Sequence, residues 1–183
     1  MKSGSVWIGI AGGIILSGLV GFLLLPVLGV FDITATGKPG ILDWWGETNL
    51  ENALNRRAPD GSIPSSADPA EGFEHYLSMC IHCHGGPGAS RQMWANHMLP
   101  LPPKLWEEEI QHMTDGELFY IVGNGIRMTG MPAFSPIHSE EEIWNMVAFV
   151  RRLDQLTEQQ KQRLQEAASV FGHHGEDDHE HGD

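Results

Sequence analysis

The run Cys80-Ile81-His82-Cys83-His84 constrains this chain more than any other feature of its 183 residues. On a helical turn, side chains three and four apart share a face, so Cys80, Cys83 and His84 project toward one ligand. C-x-x-C-H is the attachment signature of a c-type haem: the two cysteines reach the vinyl groups and His84 approaches the iron. Two other readings use the same residues, a zinc site and a thioredoxin-like dithiol beside a βαβ unit. Zinc would need more ligands at zinc-type spacing, and the chain has only these two cysteines. The dithiol would need strand patterns, which are absent. The expectation is therefore one covalently bound haem c, with His82 as a solvent-facing spacer. It leaves no cysteine for a disulfide.

Iron held by one histidine has a second face that is either open, as catalysis needs, or filled, as electron transfer prefers. Residues 125–134, Gly-Ile-Arg-Met-Thr-Gly-Met-Pro-Ala-Phe, form a glycine-rich stretch with two methionines. Pro132 restricts Met131 to an extended backbone, so its thioether projects from a loop. Met131 is the expected second axial ligand, and Met128 is set aside. The plainer reading makes both methionines gap-filling core residues. Met79, Met93, Met98, Met113 and Met146 have no comparable setting.

Local patterns predict helices and no strands. Thr114-x-x-Glu117 and Ser139-x-x-Glu142 are capping boxes. The first opens a helix bearing Leu118, Ile121 and Val122 that Gly123 or Gly125 would end; the second opens one bearing Ile143, Met146, Val147 and Val150. A further helix is expected from Thr157 to about Phe171, displaying Leu164, Ala168 and Phe171. The fold class is all-α. A haem domain of roughly 85 residues would be marginal on side-chain burial alone, and covalent haem adds apolar mass to its core.

At roughly residues 70 to 154 the chain resembles the membrane-anchored monohaem members of the class I cytochromes c. The resemblance rests on the C-I-H-C-H run followed by Gly85-Gly86-Pro87-Gly88, on Pro102-Pro103-Lys104-Leu105, on Met131-Pro132, and on a last helix with Trp144 and Phe149. It implies that Gly72 and Tyr76 lie where the first helix crosses the last, near Met146 and Phe149. It also implies that a proline carbonyl, of Pro102 or Pro103, accepts the ring N–H of His84 and fixes its tautomer. The function it implies is a single-electron carrier rather than an enzyme. Its partners would be a quinol-oxidising complex, a terminal oxidase, or a dehydrogenase of which this chain is the cytochrome subunit. An open-site haem sensor or enzyme is the alternative if Met131 does not ligate.

No charged residue occurs between Lys2 and Asp32, and Val6 to Phe31 is a run of 26 mostly apolar residues. As a helix it would reach nearly 40 Å, against roughly 30 Å of bilayer hydrocarbon. A cleaved signal peptide would have a shorter apolar region and a small-residue cleavage site. The expected layout is a cytoplasmic terminus over 1–4, a transmembrane signal-anchor helix over 5–31, a juxtamembrane segment and linker over 32–69, the haem domain over 70–156, a C-terminal helix over 157–172 and a tail over 173–183. Lys2 favours a cytoplasmic amino terminus. The resemblance places haem attachment outside the cytoplasmic membrane of a bacterium, with the haem domain on the periplasmic face.

Within 32–57, Trp44-Trp45, Leu50 and Leu54 suggest a short helix whose tryptophans either anchor at the membrane surface or cover part of the haem domain. Ala58 to Pro69 reads as a linker that, if flexible, would reach about 20 Å. The tail, with His173, His174, His179 and His181 among acidic residues, reads as solvated and disordered; copper, nickel or zinc binding is the sharper alternative. His75, His97, His112 and His138 stand alone and read as surface or capping histidines. A net charge of −13 without a basic stripe disfavours nucleic acid as a partner. It suits basic docking surfaces or weak apolar contacts around a haem edge.

Overall fold

A computed structural model describes residues 3–25, 27, 28, 34, 36, 37 and 40–170. The expectations for the tail and for Phe171 lie outside these residues. The chain divides into two units, Met1–Gly37 and Lys38–Asp183.

Among its described residues the first unit holds one helix, α1 (Ser3–Leu24). Its stretch Trp7–Leu24 is long and apolar enough to cross a membrane. At 1.5 Å per residue the helix is about 33 Å long, close to the hydrocarbon thickness. It ends sooner than the apolar run does: Leu25 is already in a turn, its N–H bonded to Phe22 O. The next residue in the sequence is Pro26, and a residue before proline is biased away from helical backbone.

The second unit is all helical, with no strand among the described residues. In order it holds α2 (Ile41–Arg57), α3 (Pro69–His75), a π turn (Tyr76–Cys80), α4 (Ile81–His84), a 3₁₀ turn (Met93–His97), α5 (Glu108–Gln111), α6 (Asp115–Asn124), α7 (Glu140–Val150) and α8 (Glu158–Ser169). Both expected capping boxes form, from Thr114 with Glu117 and from Ser139 with Glu142, and a third joins Thr157 to Gln160. Each satisfies N–H groups that a helix start otherwise leaves unpaired.

The core lies where α3 and α7 cross. Gly72 permits the approach: a Cβ there would fall on the Asn145 carbonyl oxygen and stand 3.0 Å from Phe149 Cβ. Phe149 fills the angle between Phe73 and Tyr76, with ring centroids at 5.0 and 5.2 Å. The last helix is buried beyond its expected stripe, since Asn145, Ala148 and Phe149 are also enclosed. Asn145 explains its own burial: its Oδ1 accepts from Asp68 N at 2.7 Å and its Nδ2 donates to Glu71 at 2.8 Å.

The C-terminal helix α8 belongs to this same body. Leu164 is fully buried against Gly86, Arg163 makes a two-pronged ion pair with Glu74, and Gln92 Nε2 donates to Ala168 O at 2.7 Å. The stretch read as a linker is laid along the haem domain rather than free. Ile63 N donates to Asp115 at 3.2 Å, Asp68 N is held by Asn145, and Ile63 packs on the core. Leu54 buries α2 on the same unit, while Trp44 and Trp45 are 60% and 59% exposed and so do not cover it.

Candidate haem site

The three residues of the attachment run sit at the end of the helical rod that begins with α3. Cys80 closes the π turn, Cys83 and His84 lie on α4, and Gly85 ends the rod. Tyr76 stitches this end shut, its buried hydroxyl donating to Gly85 O at 2.7 Å. Both cysteines are half-buried free thiols. Burial, with the neighbouring Cys83, pushes the Cys80 thiol up to about 12, and burial raises Cys83 against the opposing charge of Arg91.

His84 is 9% exposed, and its Nδ1 lies 2.8 Å from Pro103 O. A carbonyl only accepts, so Nδ1 carries the hydrogen and Nε2 presents its lone pair. Burial lowers the His84 pKa, which favours this neutral form, and the Pro103 bond acts in the other direction. Of the two prolines, then, Pro103 supports the imidazole; the Pro102 carbonyl accepts instead from Arg91. His82 is half-buried, with Nε2 at 3.2 Å from Ser78 O.

Met131 lies on the loop between α6 and α7. Gly125 starts that loop with φ +65°, where side chains are strained, and a Cβ on it would come within 2.6–2.8 Å of the backbone of Met131, Pro132 and Ala133. Thr129 braces it from inside, Oγ1 donating to Ile126 O at 2.7 Å and accepting from Met131 N at 3.1 Å. Phe134 N and Ser135 N then bond to Val122 O and Gly123 O, tying the loop to the end of α6. Met131 is half-buried, whereas Met128 is 87% exposed. The segment 92–98 links this loop to the attachment run: Gln92 N donates to His82 O at 2.9 Å, and the Met98 methyl rests on Gly130.

Sequence reasoning missed the bracing by Thr129 and the seat that Gly130 offers Met98. The threonine was visible beside Met131; the Met98 contact spans 32 positions and had no local signal. His75 and His138, read as isolated, also meet across α3 and α7, with ring centroids 4.9 Å apart.

A rod ending in two cysteines and a buried imidazole that keeps its Nε2 lone pair fits a covalently bound haem c: the second unit contains a monohaem class I cytochrome c domain. Residues 67–150 match the family model described as cytochrome C oxidase, cbb3-type, subunit III. A search of the curated proteins finds no match. The chain thus carries a c-type cytochrome domain, a class whose haem carries electrons.

Proposed function

We propose that this protein is a membrane-tethered monohaem cytochrome that passes single electrons between respiratory redox partners, with His84 and Met131 as the axial ligands. The observation that carries the reading is the Nδ1–H···O=C bond from His84 to Pro103, which fixes the tautomer that leaves the Nε2 lone pair available to iron. When bound, the haem supplies an Fe(II)/Fe(III) couple. Cys80 and Cys83 would hold it through two thioether bonds. Met131 would supply a ligand from a loop that Gly125 and Thr129 keep in register. A soft thioether favours ferrous iron and raises the potential.

The layout proposed is a cytoplasmic terminus (1–4), a transmembrane anchor over 5–31 centred on α1, a juxtamembrane segment (32–69), the haem domain (70–156) with its C-terminal helix (157–172), and a tail (173–183). The exposed Trp44 and Trp45 suit a membrane surface. The haem domain then lies on the periplasmic face of the cytoplasmic membrane. A second reading, a cytochrome subunit within a terminal oxidase, is favoured by the family description, which names a subunit of a cbb3-type oxidase. Exposed Met93, Trp94 and Leu101 offer apolar contact to a partner in either case.

The test is the optical spectrum of the purified protein in both oxidation states. A weak far-red sulfur-to-iron band in the ferric form is expected. A high-spin spectrum in its place would move the assignment to an open-site sensor or enzyme.

A further inference from the structure

The crossing of α3 and α7 gathers three donors that the sequence keeps far apart. His75 ends α3, His138 stands just before α7, and Glu142 lies in the first turn of α7. One ring nitrogen from each histidine and one oxygen of Glu142 lie within 4.8 Å of one another. Glu142 Oε1 is 3.6 Å from His138 Nδ1 and 3.9 Å from His75 Nε2. The two rings meet edge to face, at 84°, so they converge on the carboxylate instead of stacking.

Two details show that these groups have capacity to spare. The helix cap uses Glu142 Oε2, which accepts from Ser139 N at 2.7 Å and Ser139 Oγ at 2.9 Å. That cap fixes the carboxylate and turns Oε1 toward the histidines. His138 Nδ1 is buried without a hydrogen bond, the only such side-chain nitrogen or oxygen among the described residues. A buried polar atom left unpaired is costly, and a bound ion is one of its ordinary explanations. At the rim, Glu71 Oε1 stands 3.9 Å from His75 Nε2 and adds negative charge.

We propose that His75, His138 and Glu142 bind a divalent transition metal ion, zinc being the best fit. Two imidazoles and one carboxylate are a zinc donor set with a position left for water or for Glu71, whereas calcium and magnesium take oxygen ligands. In a tetrahedral site with bonds of about 2.0–2.1 Å, donors stand roughly 3.3–3.4 Å apart. The observed 3.6 and 3.9 Å would close by about 0.2–0.6 Å, and the two ring nitrogens, within 4.8 Å of each other, by up to about 1.4 Å, a movement within reach of side-chain rotation. The ion would staple the first and last helices of the haem domain, at residues distinct from the haem ligands. Neither histidine signals this in sequence, because only the helix crossing pairs them.

The test is zinc titration of the full-length holoprotein with His173, His174, His179 and His181 replaced by alanine, which removes the tail as a competing chelator. Calorimetry should give one zinc per chain, and the melting temperature should rise with zinc. His75→Ala and His138→Ala should each weaken binding by at least about 100-fold, since even outer-shell partners of a metal site are worth roughly 10–100-fold. Glu142→Gln, which keeps an acceptor for the Ser139 cap, should also weaken it. Should a histidine variant fail to fold, zinc-edge X-ray absorption on the tail-substituted protein decides, with scattering from two imidazoles expected. Failure of the tail-substituted chain to bind zinc, undiminished binding in either histidine variant, or an all-oxygen zinc environment would each overturn the site.

Discussion

Replacing Gly72 by alanine should destabilise the folded domain by about 2 kcal/mol, the difference of two opposed effects. Alanine is favoured over glycine inside a helix by about 1 kcal/mol. Against this stands overpacking, which costs about 1–3 kcal/mol in a well-packed core. The new Cβ would fall on the Asn145 carbonyl oxygen, 2.5 Å from its carbon, and this obstacle is helix backbone that cannot rotate away. The cost should therefore lie near the upper end, about 3 kcal/mol. For a domain of this size the net change lowers the melting temperature by about 8 °C. The assay is thermal unfolding of the holoprotein followed by circular dichroism, with Gly46→Ala as the control. Gly46 lies inside α2 with open space around it, so there the substitution should stabilise by about 0.5–1 kcal/mol. If Gly72→Ala melts at or above the parent temperature, propensity has prevailed and the close crossing of α3 and α7 is wrong.

Met131→Ala should retain covalent haem, lower the reduction potential and abolish the sulfur-to-iron band, with Met128→Ala nearly silent; redox titration of both variants checks this, and the reverse pattern would overturn the ligand assignment. Tyr76→Phe leaves the buried Gly85 carbonyl without its 2.7 Å donor and should cost about 1–3 kcal/mol, read by chemical denaturation. Glu142 is held below the usual carboxylate range by hydrogen bonds from Ser139 and by His138, and Glu74 by its pairing with Arg163. A depressed folded pKa means stabilisation present above the unfolded value of 4.5 and lost as pH falls through the folded value. Melting curves should thus steepen their decline below about pH 4.5 in the parent, and less so in Glu142→Gln.

What could be read from sequence was whatever is decided within a few residues. Thr114, Ser139 and Thr157 each cap a helix through a partner three positions on, so those starts were visible. The attachment run was equally local. Readings failed, or stayed open, where a distant backbone decides. Ala58 to Pro69 has a linker's composition, but composition does not reveal that Asp115 and Asn145 hold its N–H groups. Pro102 and Pro103 differ only in which carbonyl faces His84 and which faces Arg91, a matter of chain direction in three dimensions. His75 and His138 look solitary until Gly72 lets their helices touch.

The π turn explains how one rod serves both the core and the haem side. In a regular α-helix the residue beneath Tyr76 is Cys80, which would carry the core-facing row from Gly72 and Tyr76 directly into an attachment cysteine. Here the Ile81 N–H closes instead on Tyr76 O, five residues back, so the row is displaced by one position. Ile81 is fully buried in consequence, whereas Cys80 and Cys83 are half-buried, Cys80 at the edge of the core. The extra residue thus puts Ile81, and not Cys80, at the centre of the core-facing row. Such turns are often found at functional sites despite their poorer regularity. Closure by the Tyr76 hydroxyl on Gly85 O then spans the irregular turn from end to end, which holds Ile81, and with it the phase of Cys83 and His84, in place.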